Sequence, residues 1–194
     1  MAFNPQPVRP SAWRRPGKST LRETVETLIG AVVLAIFIIV FVAQAFTVEG
    51  PSMEPTFVTG ERILADKLTY RFRDPRRGEV VVFDPPMESD YYIKRIIGIP
   101  GDEILIRNGK LYVNGLLAAD DYTTGPIPRD YGPVVVPENS YFVLGDNRIN
   151  SKDSRDASVG MVPRSAIIGR VILRYWPLAR TGIIQSETVI AAGD

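Results

Sequence analysis

One uninterrupted apolar run dominates the N-terminal quarter of the chain. Residues 28–46 read LIGAVVLAIFIIVFVAQAF and contain no charged side chain. As a helix rising 1.5 Å per residue, this run would span roughly 28 Å, close to the thickness of a bilayer's hydrocarbon core. Five basic and two acidic residues between positions 9 and 26 precede it, and this excess favours a cytoplasmic N-terminus. The pattern predicts a disordered cytoplasmic tail at 1–27 and a transmembrane helix at 28–46.

A cleaved signal peptide is the alternative interpretation of the same run. Ala43-Gln44-Ala45 near its end is an A-x-A sequence, which is the form of a signal-peptide cleavage site. The region before the run is long for a signal peptide, and the run is nearly of membrane length. We therefore favour an uncleaved anchor, and the sequence leaves open whether Ala43-Gln44-Ala45 is itself cut.

Beyond residue 47 the apolar residues form short runs separated by turn-forming pairs. Asn108-Gly109 lies between two such runs and is a strong hairpin signal. The pattern predicts a mainly β domain at 47–194. Residues 116–137, rich in Pro, Gly, Asp and Tyr, form either a long loop or part of an inserted subdomain. The predicted strands are Arg62–Leu68, Glu79–Phe83, Tyr92–Ile97, Glu103–Arg107, Lys110–Val113, Tyr141–Leu144 and Ile167–Tyr175.

Charge and missing residue types exclude several classes of function. The net charge is +1, without the strong basic excess of a nucleic-acid-binding protein. The chain has no cysteine, which excludes disulfides, thiolate nucleophiles and cysteine metal sites. It also has no histidine, the commonest general base and the commonest zinc ligand. Any hydrolytic chemistry therefore needs a different base.

A serine and a lysine are the candidate catalytic pair. Ser52 lies in GPSMEPT between two prolines that restrict the backbone, although a turn serine is the simpler interpretation. Lys94 lies in YYIKRII, where a strand would place Tyr92 and Ile96 on the same face. Apolar neighbours favour the neutral amine, although an edge-strand lysine is the simpler interpretation. A buried neutral lysine is a base that can replace histidine beside a serine nucleophile.

The third distinctive stretch is GDNRINSKDSR, residues 145–155. It follows an apolar strand and is rich in short polar side chains that form turns. It does not match a calcium-binding loop: counted from Asp146, position six is Ser151 rather than Gly and position twelve is Ala157 rather than Glu. Asp153 and Arg155 are spaced to form an ion pair that stiffens the loop.

Together the three stretches resemble the serine, lysine and Gly-Asp-Asn boxes of type I signal peptidases of the single-anchor bacterial type. PSMEPTF, YYIKRIIGIPGD and GDNRINSKDSR occur in that order behind the apolar run, and the resemblance covers about residues 28–178. It implies a β-rich serine–lysine peptidase fold with a variable subdomain at about 103–140.

The resemblance also implies an activity, a location and partners. The implied enzyme is a single-pass membrane endopeptidase that removes N-terminal signal peptides from exported preproteins at A-x-A sites. Its catalytic domain would lie on the outer face of the cell membrane, next to the lipid bilayer. No metal, organic cofactor or nucleic acid is implied.

The family's site residues transfer to positions of this sequence that match its motifs. Ser52 would be the nucleophile, Lys94 the general base, Ser151 the residue that orients the lysine by a hydrogen bond, and Met53 part of the substrate pocket. Structural support would come from Asp146, Asn147, Asp153 and Arg155. Gly50 stands where some members have a serine whose hydroxyl stabilises the oxyanion, so this chain would rely on backbone N–H groups, including that of Ser52, or on another donor.

Two other hypotheses stay open at this point. One is a related serine–lysine peptidase dedicated to a single substrate. The other is a non-catalytic, membrane-tethered β module that binds a partner, which an exposed and charged Lys94 would favour.

Overall fold

The computed structural model describes residues 20–37, 42–87, 90–119, 121–187 and 189. The chain divides into two compact units, residues 1–37 and 38–194. Among the described residues, the first unit contributes one helix and the second contains the strands. The described structure is mainly β, as the sequence predicts.

Helix α1 spans Thr20–Phe37, and every one of its side chains is exposed. Arg22 Nε donates a hydrogen bond to Glu26 Oε1 at 2.9 Å, one turn along the helix. Beyond Glu26 the helix carries no charge, and its large apolar side chains lie on all sides. Within the described ranges, no helix is both long enough and apolar enough to cross a membrane.

The predicted boundaries of the first two segments need correction. Residues 20–27, assigned to the tail, belong to α1, and residues 43–46, assigned to the transmembrane helix, belong to strand β1, Ala43–Thr47. Strand β1 pairs antiparallel with β2, Arg62–Asp66, and this pairing supplies its backbone hydrogen bonds on that side. Periodicity alone does not separate an apolar helix from an adjoining apolar strand. Residues 1–19 and 38–41 lie outside the described residues.

The larger sheet is antiparallel and contains eight strands. Besides β1 and β2, its strands are β3 (Val80–Phe83), β4 (Tyr92–Gly98), β9 (Ser140–Leu144), β10 (Val162–Pro163), β11 (Ile167–Trp176) and β12 (Gly182–Ile183). Their order is β1-β2-β11-β3-β4-β9-β10, with β12 paired to β11. Strand β4 therefore lies inside the sheet, between β3 and β9.

A smaller four-stranded sheet is inserted between β4 and β9. Its strands are β5 (Glu103–Arg107), β6 (Lys110–Val113), β7 (Leu116–Leu117) and β8 (Tyr131–Val135), in the order β7-β6-β5-β8. Asn108 and Gly109 both have positive φ, 53° and 74°, and form the predicted two-residue turn between β5 and β6. Residues 116–137 contain β7 and β8, so they belong to the inserted sheet rather than to one long loop.

One of the three core clusters anchors the segment between β1 and β2. Met53 and Phe57 of that segment are buried against Val80 and Val171 of the larger sheet. Burying an apolar side chain of this size contributes about 2 kcal/mol. Val48, which precedes Ser52, is buried in the same cluster, so the segment is attached to the core on both sides of the serine's position.

Candidate active site

Residues 48–61, which we call the serine loop, carry Ser52 between β1 and β2. Val48 N donates to Glu61 O at 2.8 Å, and Gly60 N donates to Val48 O at 2.9 Å, so the loop is closed at its base. Gly50 has a φ of 76°, which turns the chain just before Ser52 and favours glycine there. Ser52 is thus held at a sharp turn of an anchored loop.

Lys94 lies on the inner strand β4 and is only 4% exposed. It is paired with Val81 of β3. The ring centroid of Tyr92 lies 5.1 Å from Lys94 Nζ, and Ile96 on the same face is buried. Burial therefore contradicts the interpretation of Lys94 as a solvent-facing lysine that protects a strand edge.

The structure brings the two candidate catalytic groups together. Lys94 Nζ lies 2.7 Å from Ser52 Oγ, within hydrogen-bonding distance. Nζ also donates to the backbone carbonyl of Ile93 at 3.0 Å. These contacts direct the amine at the serine oxygen, which is the geometry that a base and its nucleophile need.

Burial changes the acidity of this amine. Loss of solvation lowers the pKa of Lys94 from 10.5 to about 8, against the opposing effect of the Asp153 and Asp146 carboxylates. A substantial fraction of the amine is therefore neutral in mildly alkaline solution. Only the neutral form has the lone pair that can accept a proton.

A buried ion pair lies directly beside the serine–lysine pair. Arg95 Nε and Nη2 donate to the two oxygens of Asp146 at 2.9 and 2.6 Å, and both side chains are 1% exposed. Arg95 Nη1 also donates to Gly78 O at 2.9 Å, and its guanidinium lies 4.6 Å from the Tyr122 ring centroid. The motif resemblance implies a supporting role for Asp146 but gives no role to Arg95. A charged residue within the apolar run IKRII was the available signal, because a buried arginine needs a carboxylate.

The loop at residues 145–155 is rigid for local reasons. Arg155 Nε and Nη2 donate to the two oxygens of Asp153 at 2.7 Å each, so the predicted ion pair is present. Asp153 also accepts a hydrogen bond from Gly145 N at 3.0 Å. Asn147 N donates to Ser52 O at 3.1 Å, which joins this loop to the serine loop.

Ser151 does not make the predicted hydrogen bond to Lys94. Its hydroxyl is buried and has no hydrogen-bond partner among the described residues. The side chain packs instead into the space beside Gly145, where a β-carbon would collide with Ser151 Oγ and with the Ser52 carbonyl oxygen. The lysine-orienting role of Ser151 stays a prediction from sequence.

A cleft of about 400 Å³ opens onto the serine and lysine. Its walls come from residues 46–50, which lead into Ser52, and from residues 90–93, which lead into Lys94. Met53 contributes to the lining, but most of its side chain belongs to the core. The backbone N–H of Ser52 donates no hydrogen bond to any described residue, so it is free to meet an oxyanion. Gly50 is exposed and has open space where a side chain would stand.

The described residues contain no group of three or more carboxylates that could hold a metal ion. The chemistry that this arrangement supports is nucleophilic attack by a serine oxygen, with a neutral amine as the proton acceptor.

Comparisons with known proteins identify the family of this chain. A family model described as signal peptidase, peptidase S26, matches residues 21–176. A probable signal peptidase I-2 from Synechocystis sp. is 44% identical over 89% of this chain and 81% of its own length. A signal peptidase I from Bacillus licheniformis is 36% identical over 82% of this chain and 91% of its own length. The crystal structure of a signal peptidase I from Enterococcus faecalis is 31% identical, covering 50% of this chain and 97% of that one with a TM-score of 0.45. The match over most of the chain, and the two relatives above 30% identity, show that this protein belongs to the signal peptidase family, peptidase S26.

Proposed function

We propose that Ser52 is the nucleophile and Lys94 the general base with which this signal peptidase cleaves signal peptides from preproteins. The observation that carries the proposal is the 2.7 Å separation of Ser52 Oγ and Lys94 Nζ. Burial supports it as well, because it lowers the pKa of Lys94 to about 8. It also disfavours the non-catalytic alternative, which an exposed and charged lysine would have supported.

The reaction proceeds through an acyl-enzyme. Neutral Lys94 takes the proton of Ser52 as Oγ attacks the scissile carbonyl, and the N–H of Ser52 donates to the developing oxyanion. The lysine ammonium then gives its proton to the leaving amine, and the C–N bond breaks to leave an ester on Ser52. The neutral amine next takes a proton from water as the water attacks the ester. That proton returns to Ser52 Oγ as the acid product leaves.

The preprotein binds in an extended conformation along the cleft. Strand β9 pairs with β4 only at Arg95–Gly98, so Ile93 and Lys94 have no strand partner on that side among the described residues. An extended segment can add its backbone hydrogen bonds to such an edge. Phe46 and Tyr91, whose ring centroids are 5.5 Å apart, form part of the cleft wall. The preprotein's A-x-A cut site would place its small side chains against this wall.

Lipid is the second proposed partner. The enzyme is held in the cell membrane by its N-terminal apolar segment, with the N-terminus in the cytoplasm and the catalytic unit on the outer face. The exposed apolar side chains of α1 and the basic excess of residues 9–26 support this arrangement. Membrane attachment would place the enzyme where the signal peptide's own apolar segment resides.

Cleavage is expected to depend on small residues at the cut site. The purified full chain in detergent should cleave a preprotein directly after an A-x-A sequence, as N-terminal sequencing of the product would show. Replacing the last alanine of that site by tryptophan is expected to lower the rate at least about 100-fold, because the proposed specificity is for small side chains next to the cut bond. Equal cleavage of the two preproteins would contradict the proposed pocket.

The pH dependence of acylation is expected to follow the neutral fraction of Lys94. With the pKa of Lys94 at about 8, kcat/KM should rise with pH and level off above about pH 9. Between pH 8 and pH 6 it should fall about 50-fold, because only the neutral amine accepts the proton. Initial rates on one preprotein between pH 5.5 and 9.5 would measure this. A profile that stays flat down to pH 6 would exclude a titrating lysine base.

A further inference from the structure

The side chain of Thr56 links the two elements that carry the serine and the lysine. Its hydroxyl donates to Asp146 Oδ2 at 2.6 Å, and the same oxygen accepts a hydrogen bond from Arg95 Nη2, also at 2.6 Å. Arg95 follows Lys94 on β4, whereas Thr56 follows Ser52 on the serine loop. One carboxylate therefore connects the serine loop to the lysine strand.

The backbone of Thr56 is held from the opposite side by strand β11. Arg174 Nη1 donates to Thr56 O at 2.8 Å. The same nitrogen lies 3.4 Å from Glu61 Oε2 at the base of the serine loop. Arg174 thus bridges the middle of the loop and its end.

Glu61 restrains the side chain of Arg174 at the base of the serine loop. Its carboxylate is 1% exposed, accepts a hydrogen bond from Val58 N at 3.2 Å, and pairs with Arg180 Nη1 at 2.9 Å. A buried carboxylate with several charge-assisted partners has little freedom to move. The loop segment that follows Ser52 is consequently restrained by side chains on both of its sides.

We propose that Thr56 and Arg174 are positioning residues that keep Ser52 Oγ in contact with Lys94 Nζ. The inference rests on the proposed roles of Ser52 and Lys94. Those two groups come from elements separated by 42 residues, so their contact depends on how the loop is attached to the sheet. Besides the core packing of the loop, its polar links to the rest of the unit include Asn147 N to Ser52 O and the two links through Thr56. Neither Thr56 nor Arg174 lines the cleft.

The substitution Thr56→Val tests this role because it removes the hydroxyl and nearly keeps the shape. We expect kcat to fall between about 10- and 100-fold, since small errors in the distance between reacting groups have effects of that order. KM should stay within about twofold, because Thr56 does not line the cleft. Thr56→Ser, which restores a hydroxyl, should recover most of kcat. Rates would be measured on the full chain in detergent at pH 9.5, where Lys94 is largely neutral.

Two matched controls separate positioning from general stability. Thr69 donates to Asp66 Oδ2 in a similar threonine–aspartate hydrogen bond away from the cleft, so Thr69→Val should leave kcat unchanged. A second test of the proposal is Arg174→Lys, which keeps the charge but loses the guanidinium geometry, and it should lower kcat as Thr56→Val does. Its control is Arg170→Lys, because Arg170 lies on the same strand and pairs with Glu79 at 3.2 Å. Arg170→Lys should leave kcat unchanged.

Wild-type kcat in both Thr56→Val and Arg174→Lys would overturn the inference. So would an equal loss of kcat in the two control variants, because the effect would then follow stability alone. The proposed function fails under a different result, namely cleavage by the Ser52→Ala protein.

Discussion

Replacing Lys94 by methionine is expected to abolish cleavage and, at neutral pH, to stabilise the fold. Methionine has nearly the length of lysine but no proton acceptor. Removing one member of a nucleophile–base pair typically lowers kcat by about 10⁴-fold or more. Preprotein cleavage by equal amounts of wild-type and Lys94→Met protein in detergent would measure the loss.

The stabilisation follows from the direction of the pKa shift. The pKa of Lys94 is lowered from 10.5 to about 8 by burial, so between these pH values the unfolded chain binds more protons than the folded one. The stability of the wild type therefore rises with pH through this window and is lower below it. Below about pH 8, burying the charged amine costs about 3 kcal/mol, which methionine avoids. The advantage of Lys94→Met should be full at pH 7 and absent above about pH 10.5.

The variant Ser52→Ala is the matched control for this experiment. It should also be inactive, but it keeps the lysine, so its unfolding free energy should depend on pH as that of the wild type does. Urea unfolding of the three proteins at pH 7 and pH 9.5 gives the comparison. If Lys94→Met unfolded at lower urea than Ser52→Ala at pH 7, the assumed cost of burying the amine would be wrong. If Lys94→Met retained a tenth of wild-type activity, the base would have to be another group.

Asp146→Asn is expected to be strongly destabilising. Asparagine has the shape of aspartate but leaves the guanidinium of Arg95, which is 1% exposed, without its counter-charge. Breaking a buried pair in this way typically lowers the free energy of unfolding by about 3–5 kcal/mol. Urea unfolding would measure the change. A double variant, Arg95→Met with Asp146→Leu, should recover part of it, because no uncompensated charge is left buried.

An exposed ion pair provides the control for Asp146→Asn. Arg164 and Asp74 are 3.1 Å apart, but Asp74 is 84% exposed. Exposed pairs contribute little, so Asp74→Asn should change the unfolding free energy by well under about 1 kcal/mol. Equal effects of Asp74→Asn and Asp146→Asn would mean that the Arg95–Asp146 pair is not a major source of stability.

Local sequence determined much of the sheet structure. Each of the seven predicted strands overlaps an observed one, because alternating or continuous apolar runs bounded by turn residues are local properties. The turn at Asn108-Gly109 and the ion pair of Asp153 and Arg155 are local in the same sense. The strands that were missed, β1, β7, β8, β10 and β12, are short or lie in segments interpreted as helix or loop.

Composition also predicted the type of base at the site. A chain without histidine or cysteine has few bases to offer a serine, and among its five lysines only Lys94 lies within an apolar strand-like run. The sequence did not show which groups that are far apart along the chain come into contact. Ser52 and Lys94 are 42 residues apart, Arg95 and Asp146 are 51 apart, and Thr56 and Asp146 are 90 apart.

Tertiary structure alone decided these contacts, the strand at Ala43–Thr47 and the position of the Ser151 hydroxyl. Strand pairing decides whether Ala43–Thr47 is a strand, because its backbone groups are satisfied by β2 and not by its own residues. Packing decides the acidity of Lys94, because solvation is lost only when β3, β4 and the serine loop enclose the amine. Sequence determined which groups were available, and the pairing of distant strands determined which of them touch.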